Sequence, residues 1–150
     1  EQWPDFDLHI WERQREIAKR SRKIDCQLPK IIGCEQNHEI ANHAKINILA
    51  AGLEEFIDIK VGSFQELILP QTKGIILCNP PYGKRISEEE NLITLYKELG
   101  SFCKKNAKGW SLWILNGNPR LSHFLNMKSK KRFPISNGGI DCRWLNYLIN

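Results

Sequence analysis

No Cys-x-x-Cys pair occurs among the five cysteines, Cys26, Cys34, Cys78, Cys103 and Cys142, which are odd in number and widely spaced. This excludes a disulfide framework and a zinc ribbon, and it predicts buried, reduced thiols in a cytoplasmic protein. Uncharged apolar runs such as Gly74–Cys78 fall far short of the roughly 20 residues that cross a bilayer, so no membrane contact is expected. A charged-then-apolar leader is also missing. So is an initiator methionine: the chain opens in mid-phrase at Glu1-Gln2-Trp3-Pro4, and an upstream segment is expected. No Gly-x-Gly loop occurs, which excludes a nicotinamide-dinucleotide fingerprint. His38-Glu39 and His43 resemble a zinc helix, but their spacing is five rather than four, which turns the imidazoles apart, so no metal is expected. Internal repeats and low-complexity stretches are absent as well.

What is present reads as one globular domain of 150 residues, with 41% hydrophobic, 26% charged and 9% aromatic residues. The 22 Lys and Arg exceed the 17 Asp and Glu, and the excess is clustered. Arg13, Arg15, Lys19, Arg20, Arg22 and Lys23 form one group; Lys128, Lys130, Lys131 and Arg132 form another. Such groups suit a polyanion, where each phosphate contact releases counterions, or are simply solvated faces.

Extended and helical patterns alternate along the chain. A basic helix is predicted from Asp5 to about Lys23. Pro29 precedes a short strand, Lys30 to Glu35. Ile40, Ala44, Ile48 and Ala51 mark a helix over 37–51 with Gly52 as its C-cap. Phe56 to Val61 reads as a strand followed by a Gly62-Ser63-Phe64 turn. Lys73 to Cys78 is continuous enough to be a parallel strand buried on both faces. Ser87 with Glu88, Glu89 and Glu90 caps a helix whose apolar face is Leu92, Leu95, Tyr96, Leu99, Phe102 and Cys103. Trp110 to Leu115 is another buried strand, and 119–127 a short helix. Lys130 to Ile135 and Ile140 to Ile149 form a hairpin around Ser136-Asn137-Gly138-Gly139, its last strand interior to the sheet. The fold class is α/β: a Rossmann-like, doubly wound, mainly parallel sheet closed by a carboxyl-terminal antiparallel hairpin.

Asn79-Pro80-Pro81-Tyr82 is the most specific element. Ligands of open α/β sheets bind at the carboxyl ends of strands, where this tetrapeptide falls. Both Asn79 and Pro80 precede a proline and are held extended. Neither proline has an N–H. The turn therefore presents acceptors, the Asn79 amide oxygen and the Pro80 carbonyl. Two converging acceptors suit a planar amino group on an aromatic ring or amide, holding it as it attacks an electrophilic methyl. Tyr82 offers a face on which a base can stack. A stiff structural turn is the alternative. Glu35 ends an apolar strand as Gly-x-Glu before a helix, either as a ligand-binding acid or as an ordinary surface glutamate.

These residues resemble the class I S-adenosylmethionine-dependent methyltransferases of the N-P-P-Y type. The chain is similar above all to the bacterial THUMP-containing guanine-N2 methyltransferases of large-subunit ribosomal RNA, often labelled putative adenine-specific DNA methylases. The similarity runs through Trp3-Pro4-Asp5-Phe6-Asp7, Trp11, Gly33-Cys34-Glu35, Asn79 to Gly83, Gly117-Asn118-Pro119 and Asn137 to Arg143. It implies S-adenosylmethionine as cofactor, ribosomal RNA as partner, and Asn79, Pro80, Pro81 and Tyr82 as the catalytic element. It places Glu35 on the ribose hydroxyls of the cofactor, Ser63 and Phe64 at its adenine, and Asn79 beside it. Ser63 stands where many relatives carry Asp, a stronger acceptor. In relatives a first strand and Gly-rich loop precede the Trp-Pro-Asp-Phe phrase. Residues 1–150 are therefore expected to be the carboxyl-terminal part of a catalytic domain, lacking that strand. Adenine-N6 methylation, protein glutamine methylation and a non-catalytic RNA-binding fragment are the alternatives.

Overall fold

The computed structural model describes residues 4–21, 29–70, 73–82 and 89–150. Trp3, Arg22, Lys23, Cys26, the Gly83-Lys84-Arg85 stretch, and Ser87 with Glu88 lie outside the described residues. The chain runs α1 (Leu8–Arg20), β1 (Ile31–Glu35), α2 (His38–Ala50), β2 (Ile57–Val61), a 3-10 turn (Phe64–Glu66), β3 (Ile75–Cys78), α3 (Glu89–Asn106), β4 (Ser111–Asn116), α4 (Pro119–His123), β5 (Lys131–Asn137) and β6 (Ile140–Leu148).

Local chemistry sets most of these boundaries. Asp7 accepts from the N–H groups of His9 and Ile10 and starts α1. Asn37 does the same for Glu39 and Ile40 at α2, and Asn118 for Arg120 at α4, where Pro119 occupies the first turn. Helix α2 stops as expected at Gly52, which is left-handed at φ 65°, while the Leu53 N–H returns to the Ile48 carbonyl. Gly138 and Gly139, at φ 57° and 77°, form the two-residue turn that joins β5 to β6.

The strands form two sheets. β1 and β2 pair in parallel, Ile31 opposite Ile57 through Glu35 opposite Val61. The second sheet has the order β3-β4-β6-β5, parallel between β3 and β4 and antiparallel across β4-β6 and β6-β5. The mixed α/β sheet expected from the sequence is thus present in two parts: among the described residues β1 and β3 are each paired on one side only, as expected of residues that lack the first strand of such a sheet. β6 is interior, as its two apolar faces require.

One face of β4 and β6 carries the core. Leu112, Ile114, Leu145 and Tyr147 pack against Tyr96, Leu99, Phe102 and Cys103 of α3, with Leu121 and Leu125 closing the end. The opposite face holds a tilted and stacked row of Phe133, Trp113 and Trp144, ring centroids 6.3 and 6.0 Å apart.

Three expectations need correction. β3 is not buried on both faces: Ile75 and Leu77 are each 67% exposed, because β3 is an edge strand and no layer covers that side. Helix α4 ends at His123 rather than near 127, since Asn126 takes φ 50° and cannot continue a helix. The described thiols are all free, but only Cys103 and Cys142 are buried; Cys34 and Cys78 are half-buried beside the sheet ends.

Candidate active site

Every residue expected at the site falls at the carboxyl end of a parallel strand or in the turn that follows it. Glu35 is the last residue of β1, Ser63 and Phe64 follow β2, and Asn79 to Tyr82 follow β3. Within a sheet, parallel strands place such ends along one edge; here Glu35, Ser63 and Phe64 belong to the edge of the β1–β2 sheet and Asn79 to Tyr82 to that of the second sheet.

Between β1 and β2 the backbone approaches closely. A Cβ at Gly33 would lie 2.6 Å from the Ile59 Cδ1, the movable tip of that side chain, and 3.9 Å from the nearest backbone atom, the Asp58 carbonyl oxygen. The Gly62 N–H donates to the Glu35 carbonyl at 3.0 Å and the Cys34 thiol to the Gly62 carbonyl at 3.2 Å. Glu35 and the Gly62-Ser63-Phe64 turn are thereby fixed side by side. The Glu35 Oε1 accepts from the Asn37 N–H at 2.8 Å, which points the carboxylate along the strand end towards the start of α2. Among the described residues no cation pairs with Glu35, so its second oxygen keeps its acceptor capacity for hydroxyl donors.

Ser63 and Phe64 are also in the expected turn, but their side chains are committed. The Ser63 Oγ accepts from the Gln65 N–H at 3.2 Å and caps the 3-10 turn. Phe64 meets Phe102 of α3 edge to face, centroids 5.6 Å apart, which ties the β1–β2 unit to the main core. Burial and the Glu35 charge both hold the Cys34 thiol above its ordinary pKa. Burial pushes Cys78 up to about 12, and it stays a thiol beside the Asn79 turn.

Asn79 is exposed, Pro80 half-buried, Pro81 exposed and Tyr82 half-buried. Among the described residues no partner occupies the Asn79 side chain. Tyr82 is anchored from two sides. Its hydroxyl accepts from the Asn137 Nδ2 at 3.0 Å, across 55 residues of sequence. Its ring lies over Gly117: a Cβ there would come within 2.7 Å of the Tyr82 Cδ2 and Cε2 and 3.2 Å of the Cys142 Sγ. Tyr82 is thus set by the end of β4 and by the tip of the β5–β6 hairpin.

Gly117, Asn137 and Asn116 are the site residues that sequence reasoning missed. Asn116 is buried at the end of β4, where its Oδ1 accepts from the Tyr96 hydroxyl at 3.3 Å and the Asn118 N–H at 3.0 Å. Its Nδ2 donates to the Asn118 carbonyl at 2.8 Å, so both the oxygen and the nitrogen of the amide are engaged and hold the turn beside Tyr82. Burial raises the Tyr96 pKa, so the donor in this network stays protonated. The available signal was the Asn116-Gly117-Asn118-Pro119 run directly after a buried strand, which has the same Asn/Pro chemistry as Asn79-Pro80.

Among the described residues no group of three or more His, Cys, Asp or Glu side chains could hold a metal.

The chain as a whole is similar to known methyltransferases. The UPF0020 family, described as the RMKL-like methyltransferase domain, matches residues 4–146. A protein of Synechocystis sp. described as an RNA methyltransferase is 34% identical over 147 residues, covering 98% of this chain and 38% of its own length. The ribosomal RNA large subunit methyltransferase K/L of Marinomonas sp. is 34% identical over 145 residues, covering 94% of this chain and 20% of its own. The chain thus spans well under half the length of these relatives. Among solved structures, SMU.472, described as a methyltransferase and solved in complex with SAH, aligns with a TM-score of 0.81 at 26% identity, over 99% of this chain and 39% of its own.

Proposed function

The chain belongs to the RMKL-like methyltransferase domain family, and from that we propose that residues 1–150 are the carboxyl-terminal part of the catalytic domain of an RNA methyltransferase. The reaction moves a methyl group from S-adenosylmethionine to the exocyclic amine of a base, guanine N2 in large-subunit ribosomal RNA. The observation that carries the reading is the Asn79-Pro80-Pro81-Tyr82 turn at the end of β3, with Glu35 at the end of β1.

Glu35 fits the cofactor because one carboxylate oxygen is held by Asn37 and the other can accept from the ribose hydroxyls. Phe64 and Ser63 border the adenine side through their turn, with the Ser63 hydroxyl already turned to its own backbone. S-adenosylmethionine supplies an electrophilic methyl on a sulfonium. The residues of this chain act on the amine. The Asn79 carbonyl oxygen and the Pro80 carbonyl accept its two N–H groups, which holds the nitrogen and favours its change from planar to tetrahedral as its lone pair is used. Tyr82, anchored by Asn137 and Gly117, provides the fixed surface for the base.

The names of the Synechocystis and K/L relatives favour RNA over protein as substrate. The test is to incubate the full-length protein with methyl-labelled S-adenosylmethionine and large-subunit ribosomal RNA, then separate the nucleosides by mass spectrometry. Label in N2-methylguanosine is expected. Label in N6-methyladenosine would move the target to adenine, and no label in any nucleoside would overturn the RNA reading.

A further inference from the structure

A groove of about 960 Å³ opens beside the site, between the end of α4, the loop over 126–129 and the β5–β6 hairpin. Its floor continues the core face of the second sheet. Arg132 lies opposite Leu145 and Pro134 opposite Arg143, so both arginines project from the face that buries Leu145 and Tyr147. Lys128 lines the same groove, giving three cations against the single carboxylate of Asp141. Among the described residues none of these cations is in an ion pair.

The groove is held in shape. The Arg132 Nε donates to the Ser129 Oγ at 2.7 Å, which fixes the guanidinium while leaving its terminal N–H groups for a ligand. The Lys130 N–H donates to the Asn146 carbonyl at 2.7 Å and pins the loop to the sheet. Asn126, also in the lining, takes a left-handed φ of 50°. The inner end reaches the candidate active site: Asn116 and Cys142 line the groove, and Cys142 and Tyr82 both lie against Gly117.

We infer that this groove binds the sugar–phosphate backbone of single-stranded RNA adjoining the nucleotide whose base is presented to Asn79 and Tyr82. The inference rests on the RNA methyltransferase reading for its choice of polymer. A base reaches a strand-end pocket when its strand is unpaired or the base is turned out of the stack, and a grip on the adjoining backbone holds it there. Planar guanidiniums match phosphate oxygens two at a time. The basic face of α1 is a poorer candidate, because it is a convex, exposed helix on which Lys19 is already paired to Glu16 at 2.8 Å.

The test uses the full-length protein and a labelled 12-nucleotide oligouridylate, which has phosphates but no exocyclic amine. Its dissociation constant is measured across a range of salt concentrations. Arg132→Gln with Arg143→Gln should weaken binding by more than about tenfold at low salt. The slope of log affinity against log salt should fall by about 1.4, near 0.7 for each phosphate that is no longer neutralised. Arg132→Lys with Arg143→Lys should keep most of the slope. Asn79→Ala should bind the oligouridylate like the wild type while losing methyl transfer, so failure of the catalytic reading leaves the groove result standing. Unchanged affinity and slope in a folded protein carrying Arg132→Gln and Arg143→Gln would overturn the inference. So would a loss of slope on Arg13→Gln with Arg15→Gln but not on the groove pair.

Discussion

The two sheets of this chain are built to different standards. The β3-β4-β6-β5 sheet with α3 and α4 holds all of the contiguous core, including Tyr96, Leu112, Ile114, Leu121 and Leu125 without exposed surface. The β1–β2 unit with α2 buries only Ala41 fully, and Ile40, Ile46 and Leu49 of α2 are more than half exposed. Yet the candidate site draws on both. The thick unit supplies the Asn79-to-Tyr82 turn and its supports, Gly117 and Asn137. The thin one supplies Glu35, Ser63 and the short hydrogen bonds among strand ends.

The largest expected effect tests that contrast through stability. Leu112→Ala removes a fully buried side chain between α3 and β6 and should cost about 2–5 kcal/mol. Leu49→Ala, at a position 66% exposed on α2, should change stability by no more than about 0.5 kcal/mol. Chemical unfolding of both variants decides it. A comparable loss at Leu49 would mean that the outer face of α2 is covered in solution and that the two units are not built differently.

Next comes chemistry in the thick unit. Asn79→Ala removes one acceptor from a turn whose direction is set by two prolines, so the turn should survive. Turnover should drop roughly 10²–10³-fold, as for loss of one preorganised catalytic hydrogen bond, with the dissociation constant for S-adenosylmethionine little changed. The thin unit should show the converse. Glu35→Ala loses two charge-assisted hydrogen bonds of about 1.5–3 kcal/mol each, which should weaken the cofactor by well over tenfold in a titration. If Asn79→Ala weakened the cofactor and Glu35→Ala did not, the assignment of one unit to each substrate would be reversed.

The sequence disclosed the elements and the strand-end positions because these rest on local rules: helical and alternating apolar spacing, Gly52 as a C-cap, Gly138-Gly139 as a hairpin turn, and a Pro-Pro pair that ends β3. It also disclosed that β6 is interior, since both its faces are apolar. What it did not disclose was decided by tertiary pairing. The run Gly74 to Cys78 looks doubly buried, yet Ile75 and Leu77, which share one face of β3, are exposed because no described layer covers that face. Ser63 stands out in the sequence for its hydroxyl, and the fold spends that hydroxyl on its own turn. Asn137 looks like a hairpin residue; its hydrogen bond to Tyr82 spans 55 positions and has no local signature.

That bond gives the smallest and most discriminating effect. Asn137 sits at the hairpin tip, the part of the thick unit furthest from its core, and β5 is exposed along its whole length. Its Nδ2 reaches the Tyr82 hydroxyl at 3.0 Å, while Gly117 seats the ring from below. Asn137→Ala removes one exposed neutral hydrogen bond, worth about 0.5–1.5 kcal/mol, and should scarcely move the unfolding midpoint. If the bond sets the angle of Tyr82 against the base, KM for RNA should rise about two- to tenfold, with S-adenosylmethionine affinity unchanged. Asn137→Gln, which retains the donor on a longer arm, should recover part of it. Tyr82→Phe should match Asn137→Ala, because either change deletes the same bond, and the double variant should be no worse than either one. Additive losses in that cycle would show that the two side chains act separately, and the hairpin would then be only the cover of the thick unit and no part of its site.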